Sequence, residues 1–389
     1  MAVFKIPEYV FLGKNALFEG ADIIEKYGNK AFIVTGKHVA KSPMMDQLKK
    51  MLHDKGIAYC VYDGITGEPT DLMIEEGKKA YLDNSCEFLI AIGGGSPLDS
   101  MKAIAAMIVN PGKIEDYMGK EIGGDLPKMV AIPTTAGTGS EATKFSVITD
   151  SKKGIKMLLR GDKLIPDMAI LNYLYTEDMP KQVTVSTGLD ALTHAVEAYT
   201  SVKASGITDI YALAAVKKIM KYLPLALNNG YDEKAREEMQ LASFLAGVCI
   251  NNSSVTLVHG MSRPIGALFH APHGLSNAML LDTCLTFALD GAYDRFADLA
   301  VAAEIEGLDS CNNEKDKAEI FIKALRELLK ICQVPSLSEY GIDKESFMEN
   351  LDKMSEDAIA SGSPANTRKP VSKVDCIRLY KDAFCALAQ

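Results

Sequence analysis

Along the first half of the chain, short runs of apolar and β-branched residues alternate with stretches in which apolar positions recur every three or four residues. The runs are 31–35, 58–62, 88–92, 129–132 and 168–171, and the helical spacing lies between them, as at 72–82 and 101–109. A short, unbroken apolar run reads as a strand covered on both faces. The order βαβα predicts a mainly parallel sheet with helices on both sides. After Pro180 the runs stop and helical spacing takes over at 187–200, 208–223, 232–248, 274–289, 315–332 and 373–387. The pattern therefore predicts an N-terminal α/β domain over 1–180 and an all-α domain over 181–389. A chain of 389 residues also exceeds what one hydrophobic core usually holds. Two such halves are expected to meet across a cleft, where small-molecule sites commonly lie.

Composition narrows the partners. The formal charge of −9 comes without a compact Lys/Arg block, so neither nucleic acid nor an anionic membrane surface is an expected partner. The first residues lack a basic segment followed by an apolar core, and no stretch approaches the ~18 apolar residues of a membrane span, so a cytoplasmic protein is expected. The 8 cysteines are scattered without a C-x-x-C pair and read as reduced packing residues.

Two loops carry candidate ligand chemistry. In 88–102 a strand runs into Gly93, Gly94 and Gly95, and Ser96, Pro97 and Asp99 suit the N-cap, first and third positions of a following helix. Glycines there allow close approach of a ligand, and the helix N-terminus favours a pyrophosphate. A purely structural turn is the alternative, and the run is not the G-x-G-x-x-G fingerprint. The second loop, 133–141, again follows a strand and presents Thr134, Thr135, Thr138 and Ser140. Two hydroxyl-rich loops after neighbouring strands put donors at the edge where α/β sheets bind ligands.

A metal is the other candidate. Asp190 and His194 stand four apart on a predicted helix and share a face. His259, His270 and His273 follow among apolar and small residues. Three imidazoles with one carboxylate suit Fe²⁺ or Zn²⁺ and leave a position for a substrate oxygen. Satisfied core histidines are the competing reading, and spacing alone does not separate the two.

In combination, 93–99, 133–141, 188–194 and 259–274 resemble the iron-containing, group III alcohol dehydrogenases, and the resemblance runs through nearly the whole chain to 367–370. It implies an α/β dinucleotide-binding domain plus an all-α metal-binding domain, the fold shared with dehydroquinate synthase. It implies Fe²⁺, with Zn²⁺ or another divalent ion as alternatives, on Asp190, His194, His259 and His273. NAD(H) or NADP(H) is implied on Gly93, Gly94, Gly95, Ser96, Asp99, Thr134, Thr135, Thr138 and Ser140, with Lys156 as a further contact and Gly36 at the ribose. The implied chemistry is Lewis-acid activation of a small alcohol or aldehyde, with hydride exchanged with nicotinamide. The implied assembly is a homodimer or larger homo-oligomer.

Three positions depart from the family pattern. Arg263 stands where many members have a histidine, making it a candidate substrate contact and leaving His270 as the candidate catalytic imidazole. Gly36 replaces an acidic residue after the second strand, which leaves the choice of nucleotide open. The C-terminal 365–368 only approximates Asn-Pro-Arg. If Arg263 faces the metal pocket, the substrate is an aldehyde bearing a sulfo, phosphono or carboxy group; a neutral C2–C4 aldehyde or diol is the alternative. Rival readings are a glycerol-dehydrogenase-like or dehydroquinate-synthase-like enzyme and, from another class, a non-catalytic assembly protein.

Overall fold

The computed structural model describes residues 3–385. The chain forms two compact units, the first ending at Asp178 and the second beginning at Met179.

The first unit is built on strands β1 (Tyr9–Leu12), β2 (Lys30–Val34), β3 (Ala58–Tyr62), β4 (Phe88–Gly93), β5 (Met129–Pro133), β6 (Phe145–Asp150), β7 (Ile155–Arg160) and β8 (Met168–Leu171). Six of them form one sheet in the order β1-β8-β5-β4-β2-β3, and every pairing in it is parallel. Side chains alternate between two cores. Phe32, Val34, Leu89, Ala91 and Ala131 pack with the helices Asp71–Asp83 and Gly95–Val109. Ile33, Ile90, Ile92, Val130 and Ile132 pack on the other face with the helix Pro43–Asp54. Because both faces are covered, all six residues of β4 are buried and its sequence shows no apolar/polar alternation.

Two features were not legible in the hydrophobic pattern. β1 is an edge strand of 4 residues. β6 and β7 form a separate antiparallel ribbon whose alternating burial follows from having one packed face.

Among its described residues the second unit consists of helices and their connecting loops, with one isolated bridge between Ser201 and Thr367. The helix Lys181–Thr200 lies at its centre, buried continuously from Gly188 to Thr200. The helix Gly206–Asn228 passes through Pro224, beyond the expected end near 223; a proline there forgoes one backbone bond, and packing of the flanking turns keeps the helix going. The helix Leu257–Phe269 was not expected, because Gly260, Pro264 and Gly266 all argue against one. Its last helical residue is followed by His270, left-handed at φ 54°. The next helix, His273–Ala288, begins three residues later. Among the described residues no single helix is long and apolar enough to cross a membrane, and all eight cysteines are unpaired.

Candidate metal centre and nucleotide loops

On the central helix, Asp190, His194 and Glu197 occupy positions i, i+4 and i+7 and so project from one face. All three are buried. Ionisable groups at such depth are costly unless they are paired or hold a metal. His259, on the helix Leu257–Phe269, and His273, the first residue of its helix, complete the group. One ligand atom from each of Asp190, His194, His259 and His273 lies within 4.8 Å of the others. Asp190 Oδ1 stands 3.7 Å from Nε2 of His259, 3.7 Å from Nε2 of His273 and 3.9 Å from Nε2 of His194. Ligands bound at about 2.1 Å around a tetrahedral ion are roughly 3.4 Å apart, so a small relaxation inward fits a divalent cation. Gly274 permits the approach of the two helices: a Cβ there would lie 2.2 Å from the Ser186 carbonyl and 3.2 Å from Asp190 Cβ.

Hydrogen bonds around the group fix its chemistry. Glu197 accepts from the backbone N–H of Val258 at 2.7 Å, from the Thr256 hydroxyl at 2.8 Å and from His259 Nδ1 at 2.5 Å. A proton held on Nδ1 leaves the Nε2 lone pair of His259 aimed at Asp190, the tautomer a metal ligand needs. Asn277 donates its amide to Asp190 Oδ1 at 2.7 Å and lies 3.1 Å and 3.4 Å from Nε2 of His259 and His273. Its carbonyl oxygen is buried and has no hydrogen-bond partner among the described residues. Burial opposes the charge of Asp190, yet His194, His273 and His259 hold its carboxyl well below the usual range. His273 keeps 43% of its side-chain surface open. Protein nevertheless crowds its ring; that burial, with His259, His194 and Arg263, pushes the imidazole down to about 3 against the pull of Asp190. The set is thus one carboxylate with three imidazoles, one of them on the open side, which suits a borderline divalent ion.

The structure does not bring His270 into this group: its side chain is exposed and its residue terminates a helix. Arg263 lies one turn after His259 on the same helix and donates from Nη1 to the Ser363 hydroxyl at 3.0 Å. The neighbouring C-terminal segment has a bracing part. Asn366 donates to the Ser254 hydroxyl at 2.8 Å and the Val255 carbonyl at 3.0 Å, just ahead of the helix that carries His259.

In the first unit, β4 ends at Gly93, whose φ of +154° and a notional Cβ only 2.7 Å from Pro97 Cγ both demand glycine. The helix starts earlier than its sequence suggested: Gly94 is the N-cap, and Ser96 and Pro97 already lie in the first turn. Ser96 therefore does not cap. The reason is that glycine at 94 and 95 lets the backbone turn immediately, and Cβ atoms there would meet Thr135 at 3.3 Å and Thr138 at 2.9 Å. The loop after β5 is thus pressed against the first, with Thr134 N–H donating to the Gly93 carbonyl at 2.9 Å. Gly93, Gly94, Gly95 and Ser96 line a 420 Å³ recess with Gly36, Lys37, His38 and Thr66. Backbone N–H groups of a helix start facing such a recess suit a pyrophosphate.

Asp99 and Ser140 tie the helix after the first loop to the end of the second. The Ser140 hydroxyl donates to Asp99 at 2.6 Å and accepts from the Lys102 ammonium at 2.8 Å. Asp99 also accepts from Val147 N–H at 2.8 Å. Both side chains brace the two loops. Burial lowers Lys102 to about 8, with Asp99 and Glu141 opposing. Lys156, on β7, is engaged by Glu68 at 2.5 Å. At position 36 a Cβ would lie 2.9 Å from the Ile65 carbonyl, so a side chain there would require the backbone to shift.

Sequence reasoning missed Glu197, Asn277 and Lys102. The first two had a signal: Glu197 continues the Asp190/His194 face, and Asn277 lies one turn after His273. Lys102 had none, since its partners come from 38 to 43 residues away.

Comparison with known proteins gives a consistent result. Residues 7–173 match the family model for iron-containing alcohol dehydrogenase, and residues 184–384 match its C-terminal family model. The chain is 35% identical over 370 residues to the NAD-dependent methanol dehydrogenase of Bacillus methanolicus, covering 94% of this chain and 96% of that one. A crystal structure of 1,3-propanediol oxidoreductase superposes with a TM-score of 0.94 at 32% identity, covering 99% and 100%. The sulfoacetaldehyde reductase of Bifidobacterium kashiwanohense, solved with NAD⁺, superposes with a TM-score of 0.87 at 27% identity, covering 99% of each chain.

Proposed function

Because this chain belongs to the iron-containing alcohol dehydrogenase family, we propose that it is a metal-dependent, nicotinamide-linked oxidoreductase interconverting short-chain alcohols and aldehydes. The observation that carries the proposal is the convergence of Asp190, His194, His259 and His273 within 4.8 Å, with Glu197 fixing the tautomer of His259. In this reading those four residues would hold Fe²⁺ or another divalent ion, which would supply Lewis acidity to an aldehyde carbonyl or an alcohol hydroxyl. The glycine loop and the 134–138 loop would hold the dinucleotide, which would supply the hydride.

The protein's own part is orientation. Glu197 keeps the Nδ1 proton of His259 in place, and Asn277 anchors Asp190. His273, on the open side, leaves that side of the group to substrate. Assembly as a homodimer or larger homo-oligomer belongs to the same reading, supported by Val10 and Leu12 exposed on the edge strand β1. So does a cytoplasmic location, supported by eight unpaired cysteines.

The test is reduction of short aldehydes with NADH and NADPH, before and after chelation and with Fe²⁺ or Zn²⁺ restored. Turnover should disappear with the metal and return with it. His273→Ala should lose bound metal by elemental analysis and still bind nucleotide. Full metal content in that variant, or turnover indifferent to chelator, would refute the reading.

A further inference from the structure

Among the described residues, no ion pair balances the charge of Arg263. It follows His259 by four residues, so its side chain leaves the helix from the ligand-bearing face. Burial lowers its pKa, and its charge is felt at His273, the open member of the metal group. Among the described residues, one of the five N–H donors of its guanidinium is used, by the neutral hydroxyl of Ser363 at 3.0 Å. Among the described residues no carboxylate lies within ion-pairing distance of it. The carboxylate that acts on it electrostatically, Glu197, is already occupied by His259, Thr256 and Val258.

A largely buried guanidinium without a counter-ion is costly. A structural arginine answers that cost with an acid in reach, as Arg295 does here with Asp209. Arg263 has no such acid, and its remaining donors form a planar fork that matches the oxygens of a sulfonate, phosphonate or carboxylate.

We propose that Arg263 is the binding residue for an anionic group on the substrate, so that this enzyme acts on a short aldehyde carrying a terminal sulfonate, phosphonate or carboxylate. The inference rests on the activity proposed above and names its substrate class. The anionic tail is not altered in the reaction. A hydride, with its electron pair, passes from the reduced nicotinamide to the carbonyl carbon; the π pair of the C=O bond moves to oxygen, which takes up one proton from solvent. Aldehyde, reduced nucleotide and H⁺ thus give alcohol and oxidised nucleotide. Arg263 stays protonated throughout and fixes the tail while the carbonyl end reaches the open side of the metal group.

The experiment compares kcat/KM for sulfoacetaldehyde and 4-oxobutanoate with that for propanal, in the metal-loaded wild type and in Arg263→Met and Arg263→Lys. Wild type should favour one of the anionic aldehydes over propanal by at least about ten-fold. The ratio of anionic to neutral kcat/KM should fall about ten- to a hundred-fold in Arg263→Met, the usual loss for a charge-assisted contact, and less in Arg263→Lys, which keeps the charge but not the fork. Losses common to both substrates cancel in that ratio. A wild type that prefers propanal, or a ratio that survives Arg263→Met, overturns the inference; if Arg263→Met does not fold, the Arg263→Lys ratio decides. Failure to turn over any aldehyde refutes the activity and leaves binding to decide: 2-hydroxyethanesulfonate should raise the melting temperature of the wild type more than propan-1-ol does, and an equal effect overturns the anionic subsite.

Discussion

Replacing Glu197 by glutamine should weaken metal binding by about ten- to a hundred-fold while leaving the fold and nucleotide binding intact. Glutamine has the shape of glutamate but only one acceptor oxygen. That oxygen will stay with the Val258 N–H and Thr256 hydroxyl, now bonded at 2.7 Å and 2.8 Å. The amide NH₂ then faces His259 Nδ1, where a carboxylate oxygen lies at 2.5 Å. Nδ1 must become the acceptor, the ring proton moves to Nε2, and that proton points at Asp190 and the metal position. Binding the ion requires giving up the new tautomer and its hydrogen bond, and the charge-assisted bond of the original pair is lost, an effect of about 1.5–3 kcal/mol. At ~1.4 kcal/mol per decade this corresponds to the stated loss, which is also the usual consequence of removing a carboxylate behind a ligating histidine. Competition with a chromophoric chelator gives the dissociation constants directly, without relying on turnover. Circular dichroism and nucleotide titration of the same samples control for misfolding. A metal affinity within two-fold of wild type would refute the assignment of Glu197 as the residue that sets the His259 tautomer.

Two further outcomes are expected. Lys37→Ala, which removes a cation from the nucleotide recess, should lower the ratio of NADPH to NADH kcat/KM by about ten-fold; an unchanged ratio would exclude Lys37 as a 2′-phosphate contact. It is a cleaner test than an acid at position 36, where any Cβ would press on the Ile65 carbonyl at 2.9 Å. Burial raises Glu141 from 4.5 to about 7, so between those pH values the folded state binds more protons than the unfolded state. Its stabilising contribution is fully present below pH 4.5 and is lost as pH rises through about 7. Glu141→Gln should therefore gain stability over wild type from pH 5 to pH 8, by at most about 3 kcal/mol in denaturant unfolding; a difference that does not widen would contradict the shift.

What the sequence determined by itself is set by local physics. Unbroken apolar runs specify β2, β3, β4, β5 and β8, because a strand covered on both faces needs apolar residues at every position. The 3.6-residue period specifies the long helices of the second half. The i, i+4 spacing of Asp190 and His194 marks a ligating face on one helix. What the tertiary structure decided depends on contacts between distant segments. The helix Leu257–Phe269 forms despite two glycines and a proline because packing outweighs propensity, and only that helix carries His259 to Glu197, 62 residues away in sequence. Spacing alone does not separate His270 from His273. The left-handed turn at His270 exposes the first, while Gly274, pressed on the Ser186 carbonyl, draws the second against Asp190. Ser96 lost its expected capping place because the glycines before it let the helix begin sooner. The lack of a carboxylate beside Arg263 could be read only once the chain was folded, because acids are common in this sequence and only the fold decides which of them come within reach of its guanidinium.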